Sequence, residues 1–419
     1  MFANAIQHEL GYHSCPADPD VWMKAKVKKN GEKYYSYIIV YVDDVLCIDE
    51  TPKQIISHIA DLFRIKEGSD EVPKIYLGAN IRKWNVTDED GKESQCWAMS
   101  SHSYAKEAVR VVEAQMLKHN LSYPSSRRHG SKSPFSSSSY RPELDYSDLC
   151  SEELATLYME LIGMLRWMCE LGRIDILHET ALLSQYMASP RMGHLLQAIN
   201  TFKYVKTHDR RSWLVFDPLR YDVEWIPFGD ETHPEERAAA MREMYDVSSG
   251  EEMPHNMPEA RGNPVDINIF VDADHAGNKI TRRSHTGIII FLNMAPIAWY
   301  SKKQNTVESS TFTAEFIALK TAIEMLDGLL YKLRMLGVPI SGPARVFCDN
   351  QSVVKNSSFP DSVLKKKHCS IAYHKVREAI AYGKCLIYFE RSETNLADLF
   401  TKVLSPDKRE SLIPAFLSG

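Results

Sequence analysis

The sequence predicts a multidomain α+β and α/β chain whose last third is a mixed five-stranded sheet flanked by helices. Three observations carry this. Short runs rich in β-branched and aromatic residues (INIFVDAD, TGIIIFLN, PIAWYSKK, ARVFCD and CLIYFE) read as five strands. Phe312, Phe316, Leu319, Ile323, Leu326, Leu330 and Leu333 recur at steps of three and four, the spacing of a helix lying on a sheet. Strands in a run, then helix, strand, helix, strand and helix, describe a mixed sheet with helices on its faces.

The earlier elements follow in order. Residues 21–49 predict strands: VWMKAKV, a turn at Asn30-Gly31, YYSYIIVYV, a tight acidic turn, then VLCI. Ile55, Ile56, Ile59, Leu62 and Phe63 fall at helical spacing within residues 52–66. IYLGANIRKW reads as a short strand. Residues 121–140 are Ser-rich, bury too little apolar surface to fold alone, and predict a flexible loop or linker. Residues 151–207 are strongly helical. A polar stretch over about 218–262, rich in Glu, Pro and Met, predicts a linker. Ser309, Ser310 and Thr311 are suited to cap the long helix that follows them, and a turn is expected near Asn293.

Composition narrows the class. A length of 419 residues allows two or three domains, and 44% hydrophobic with 25% charged residues is the range of ordinary folded protein. The eight cysteines form no CxxC pair and no zinc-spaced cluster, which predicts reduced thiols in an intracellular protein. No run of about 18 apolar residues predicts a membrane span. The first residues, MFANAIQHELGYHS, lack the regions of a signal peptide. A net charge of −5 argues at first against nucleic-acid binding. The charge is uneven, however. Residues 222–260 are acid-rich, and basic groups recur at Arg127-Arg128, Arg282-Arg283, Lys302-Lys303 and Lys365 to Lys367. Local patches can bind phosphate on an acidic chain. The plain alternative for each pair is a solvated surface.

Four acids stand in informative settings. Asp272 sits at the end of INIFVDAD, on the face opposite Ile267, Ile269 and Val271. Glu315 borders the sheet-facing side of the long helix, where a carboxylate is costly to desolvate without a cation. Asp349 ends the strand ARVFC, and Asp398 lies on a short terminal helix, NLADLFTK. A site that cuts a phosphodiester with two magnesium ions needs such a set, because hard divalent cations want carboxylate oxygens.

The strings VDADHAG, RRSHTG, IAWYSKKQNTVESSTFTAEFIAL, VFCDNQSVV, KKKHCSIAYHKVRE and NLADLFTK, in this order over some 140 residues, resemble the RNase H domain of copia-type LTR retrotransposons. The resemblance implies a catalytic acidic tetrad at Asp272, Glu315, Asp349 and Asp398, holding Mg2+ or Mn2+. It favours Asp272 over Asp274 as the metal ligand, and it is broken at His275, where an aromatic residue is common. It implies cleavage of the RNA strand of an RNA–DNA hybrid, with Arg282, Arg283, Lys302 and Lys303 as candidate phosphate contacts. His368 and His374 are open between general acid, substrate contact and structural roles, and structural roles are expected.

Near the other end, YIIVYVDDVLCID resembles the palm hairpin of reverse transcriptases. That implies Asp43 as a metal ligand supported by Asp44. LFRIKEG, IYLGANIRK, Tyr104, YMELIGMLRWMCELGRIDI and LLSQYM resemble the copia-type continuation beyond the palm. Only 40 residues precede Tyr41, too few for fingers and the earlier palm aspartate, so no polymerase activity is expected of this chain alone. Missing strands predict exposed apolar faces at Ile38, Ile39 and Val40.

The expected organisation is a partial palm over 1–110, a helical thumb and connection over 111–217, an acidic linker over 218–262, an RNase H domain over 263–405 and a tail over 406–419. The expected function is that of a retrotransposon reverse transcriptase/RNase H fragment. The alternative is a non-catalytic nucleic-acid-binding remnant. Expected partners are an RNA–DNA hybrid and other polyprotein pieces or a second copy, with no membrane. The resemblance implies a cytoplasmic particle or the nucleus.

Overall fold

The computed structural model describes residues 2–65, 71–88, 90–124, 132–210, 212–220, 232–247, 251–364 and 367–419, without the side chain of His368. Arg127, Arg128, Lys365, Lys366 and, within the acid-rich stretch 222–260, residues 222–231 and 248–250 therefore lie outside the described residues. The chain divides into two units. The first comprises 1–73, 249–266 and 323–342; the second comprises 74–248, 267–322 and 343–419. The sequence segment 263–405 contributes to both.

In the first unit, α1 (Phe2–His8) leads into four antiparallel strands, β1 (His13–Cys15), β2 (Asp18–Val27), β3 (Lys33–Tyr41) and β4 (Asp44–Ile48), then α2 (Pro52–Leu62). They pair in sequence order, as tight turns dictate. Alternation assigns the two faces. Trp22 and Ile38 pack with Ile6, Tyr12, Ile55 and Ile59 from the two helices. Burying the two α2 isoleucines contributes about 1.5–3 kcal/mol each. Met23 and Tyr35 pack on the other face with Met335, and the Tyr37 hydroxyl donates to the Leu336 carbonyl at 2.6 Å. Gly337 has φ +69°, and a Cβ there would lie 2.3 Å from the Tyr35 ring, so only glycine fits against that ring. The exposed face expected at Ile38, Ile39 and Val40 is therefore corrected: Ile38 is fully buried and Ile39 and Val40 are half-buried, because helices and the segment 323–342 cover the sheet.

The second unit begins with β5 (Ile75–Tyr76), β6 (Ala79–Thr87) and β7 (Glu93–Ser100), joined after a helical stretch by β8 (Leu214–Phe216) in a sheet ordered β5-β6-β7-β8. The helical stretch holds α3 (His102–Lys118), α4 (Glu152–Glu170), α5 (Leu177–Leu183) and α6 (Met192–Thr207). Leu161, Ile162, Leu165, Ile199 and Phe202 form their core. The described part of the Ser-rich stretch differs from a flexible loop. Phe135 is buried in that core, and the Ser136 amide donates to Gln197 at 2.8 Å. One aromatic side chain is enough to pin it. Within the expected linker, residues 234–244 form a helix, α7 (Pro234–Met244), with Arg237 and Met241 buried.

The mixed five-stranded sheet expected for the last third is present, in the order β11-β10-β9-β12-β13, from β9 (Ile267–Asp274), β10 (His285–Leu292), β11 (Ala295–Lys303), β12 (Ala344–Cys348) and β13 (Cys385–Phe389). β9, β10 and β11 are antiparallel; β9, β12 and β13 are parallel. Between β11 and β12 runs α8 (Thr311–Met335), whose first turns belong to this unit. The Ser310 hydroxyl accepts from the Thr313 amide at 3.4 Å, the expected cap. α9 (Gln351–Ser358) and α10 (Ser370–Ala381) follow β12, and α11 (Pro406–Leu412) closes the chain. α7 packs on α10, with the Arg237 guanidinium 3.8 Å from the Phe359 ring centre. On the opposite face Phe270, Ile289, Phe291 and Phe347 meet the 3-10 turn Leu396–Phe400. No described helix is long and apolar enough to cross a membrane.

Candidate functional site

The site grows from strand register. β9 and β12 run parallel with Cys348 opposite Val271, so the residues that follow, Asp349 and Asp272, come side by side where β12 ends. Carboxyl ends of parallel strands are where open sheets present reactive groups. On β10, Gly287 stands opposite Asp272. A Cβ on Gly287 would lie 2.6 Å from Thr401 and 2.8 Å from the Ala397 carbonyl, so its absence lets the 396–401 segment lie flat on the sheet. Asn395 pins that segment, donating to the Val271 carbonyl at 3.1 Å and accepting from the Ala397 amide at 3.1 Å. Asp398 is thereby turned towards Asp272. Glu315 arrives from the second turn of α8.

Two overlapping sets of donor atoms result. Among the described residues, Asp272, Asp349 and Asp398 offer oxygens within 4.8 Å of one another, and Glu315 and Asp349 oxygens lie equally close to each other and to the Cys348 Sγ. Asp272, Glu315 and Asp398 are 1%, 4% and 6% exposed. Buried carboxylates so close repel, and burial disfavours their charged forms. Burial, then Asp272 and Asp349, push the Glu315 carboxyl well above its ordinary value. Burial and Asp272 likewise raise Asp349, and raise Asp398 to about 6. Asp272 Oδ1 and Glu315 Oε2 are buried without a hydrogen-bond partner. Burial and Glu315 hold the Cys348 thiol well above its usual range, so it stays a neutral thiol. The remaining donors are all carboxylate oxygens, a set suited to hard divalent cations.

One cation is built in. Lys402 Nζ lies 3.0 Å from Asp272 Oδ2 and 2.5 Å from Asp398 Oδ1. The Thr401 hydroxyl also donates to Asp272 Oδ2. Burial alone would lower the Lys402 ammonium, but Asp272 and Asp398 outweigh it and hold it above its ordinary value. Sequence reasoning missed Lys402 and Thr401, although both stand in the string that contains Asp398.

Asp274 belongs to neither donor set. Its Oδ1 accepts from the His285 amide at 2.5 Å, and it folds over Gly277, where a Cβ would meet its Oδ2 at 1.4 Å. Burial and Asp272 push it up to about 7, against the His285 hydrogen bond. His275 Nε2 lies 3.0 Å from the Glu308 carbonyl.

The acidic groove, about 510 Å3, adjoins a cavity of about 270 Å3 to which Arg141, Lys279, Arg283 and Lys303 contribute. Asp274, His275 and Lys402 line both. Arg283 and Lys303 thus come together beside the acids. Arg282 and Lys302 are exposed and stand outside that lining. His374 is exposed on α10, its Nδ1 3.0 Å from the Tyr245 hydroxyl, and is not in either cavity lining. Asp43 and Asp44 are exposed on the β3–β4 hairpin, where Val42 has φ +57°, and no third acidic group joins them in a metal-sized set among the described residues.

No protein-family model matches the chain. Over 151 residues it is 30% identical to the retrovirus-related Pol polyprotein from transposon RE1 of Arabidopsis thaliana, covering 36% of this chain and 10% of that protein. It is 32% identical over 141 residues to the Pol polyprotein from transposon TNT 1-94 of Nicotiana tabacum, covering 34% and 10%. Over 294 residues it is 24% identical to a putative transposon Ty5-1 protein of Saccharomyces cerevisiae, covering 69% of this chain and 73% of that one. The chain spans about one tenth of the length of the plant relatives it matches. A solved N-terminal RNase H domain from Mycobacterium tuberculosis, fused to maltose-binding protein, aligns with 36% of this chain and 98% of that one at 16% identity and a TM-score of 0.26.

Proposed function

We propose that this chain, similar in sequence to Pol polyproteins of transposons, is an RNase H-type endoribonuclease that cuts the RNA strand of RNA–DNA hybrids. One observation carries the reading. Four carboxylates from separate stretches of sequence meet at the edge of one sheet, three of them almost fully buried. A folded protein tolerates such crowding when cations neutralise it.

Asp272, Glu315, Asp349 and Asp398 would hold Mg2+ or Mn2+, and the partnerless oxygens of Asp272 and Glu315 support that fit. Two such ions, when bound, supply an activated water and a clamp on the leaving oxygen of a phosphodiester. The chain's own groups do the rest. Arg283 and Lys303 attract backbone phosphate beside the groove, with Arg282 and Lys302 as outer contacts. Asp274 orders the turn that carries His275. The 2′-hydroxyl of RNA would distinguish the strand that is cut.

In this reading residues 1–110 are the rear of a reverse-transcriptase palm, 111–217 its thumb and connection, and 263–405 the nuclease. Polymerisation is not expected of the chain alone, since Asp43 and Asp44 lack a third carboxylate beside them among the described residues. Its setting would be a cytoplasmic particle or the nucleus, with other polyprotein pieces or a second copy as partners.

The test is cleavage with either strand labelled. Loss of the RNA strand of a hybrid in Mg2+, with double-stranded DNA left intact, is expected. Salt-sensitive hybrid binding without cleavage would replace this reading with a non-catalytic remnant.

A further inference from the structure

The reading above puts divalent cations among four acids. The chain supplies a cation of its own to the same place. Lys402 Nζ sits between Asp272 Oδ2 and Asp398 Oδ1, 3.0 Å and 2.5 Å away. The Thr401 hydroxyl also donates to Asp272 Oδ2, so that oxygen is doubly engaged while Asp272 Oδ1 and Glu315 Oε2 are left bare. The built-in charge therefore covers one edge of the cluster and leaves the other open.

We propose that Lys402 is a tethered counter-cation that occupies the metal position between Asp272 and Asp398 and withdraws when a divalent ion binds there. The inference rests on the metal-binding reading of the cluster. A magnesium ion bridging these two oxygens at about 2.0–2.1 Å would fill the space between them that the ammonium now fills, so the two cations compete for it. Withdrawal is open to Lys402. Its side chain is 40% exposed, whereas Asp272 is 1% and Asp398 8% exposed at the side chain, so the ammonium reaches in from solvent on a flexible stem. It lines both the acidic groove and the neighbouring cavity, which gives it a place to move. Lys408 is a natural control. It stands 3.6 Å from Asp398 Oδ2, yet its ammonium is also held by the Ser392 and Glu393 carbonyls.

Two consequences follow. Without metal, Lys402 limits the repulsion among the acids and stabilises the fold. With metal, it competes, so affinity is set below what the carboxylates alone would give.

The experiment is a Mn2+ titration of the full chain, with free ion read by electron paramagnetic resonance, for wild type, Lys402→Met and Lys408→Met. Lys402→Met is expected to bind Mn2+ about tenfold more tightly, from removal of one like charge at contact range, and Lys408→Met within about twofold of wild type. In EDTA, Lys402→Met melts at a lower temperature than wild type and gains more from added Mn2+. Should that variant fail to fold without metal, the wild type still reports. The ammonium resonance of Lys402, seen by NMR in the metal-free protein, is expected to shift on Mg2+ addition. Equal or weaker Mn2+ binding by Lys402→Met, or an unmoved Lys402 signal at saturating Mg2+, overturns the proposal and leaves the metal site standing. Failure of both wild type and variant to bind Mn2+ overturns the proposal and the metal reading together.

Discussion

Asp349 lies beside Asp272 because β12 and β9 are parallel, with Cys348 opposite Val271 in the last bridge before them. An antiparallel pairing would have carried the two carboxylates towards opposite edges of the sheet. Parallel register brings both chain exits to one edge, where Glu315 from α8 and Asp398 from the terminal turn complete the cluster.

Glu315→Gln keeps the shape of the side chain and removes a charge that burial, Asp272 and Asp349 all disfavour. Cleavage is expected to fall by more than about 100-fold, since a metal ligand is weakened. Stability in EDTA is expected to rise, because one member of a repelling buried set is gone. Single-turnover cleavage and urea unfolding of the same preparations check both signs.

Asp274 and His285 pull the pH dependence of stability in opposite directions. Asp274 titrates at about 7 in the fold, mainly through burial and Asp272, against about 3.9 in an unfolded chain. Between those values the folded state binds the proton more tightly, so stability falls as pH rises through that window. His285, held down to about 3 by burial and Lys303, pulls the other way, and its contribution is lost as pH falls below about 6.5. Asp274→Asn separates them. Asparagine can still accept from the His285 amide, so in EDTA the variant is expected to lose less melting temperature than wild type between pH 5.5 and 7.5. An equal or larger loss contradicts the assignment.

Arg409 is buried at 1% exposure, donating to Glu179 at 2.8 Å and to the Asp175 carbonyl. Glu179→Ala removes the carboxylate partner of that buried guanidinium. A destabilisation of about 3–5 kcal/mol is expected by chemical denaturation, with no requirement that the acidic cluster change.

Primer extension on an RNA template is expected to be absent, and Asp43→Asn is expected to leave hybrid cleavage unchanged. Extension that disappears in Asp43→Asn would show that the exposed hairpin is a working polymerase site.

The parts legible in the sequence were those written in local periodicity. The strand runs and the three-four spacing from Phe312 to Leu333 mapped onto β9 to β13 and α8. The four acids stood out by their place at strand and helix ends, but their convergence depends on the β9–β12 pairing and on the space left by Gly287, neither of which is local. α7 escaped because PEERAAAMREM has no apolar stripe beyond alanines and two methionines, with only Pro234, Arg237 and Met241 buried. Lys402 was visible in NLADLFTK, but its direction depends on the 3-10 geometry of the short helix expected there. Phe135, alone among serines, gave no pattern to read.

The most direct measurement is the rate of RNA-strand cleavage in Mg2+ by wild type and by Asp272→Asn, Glu315→Gln, Asp349→Asn and Asp398→Asn in turn. Strong loss in each of the four, with Asp43→Asn unchanged, is the expected result. Wild-type activity that survives loss of any two of those four acids, or that needs no divalent ion, would contradict a shared cation centre.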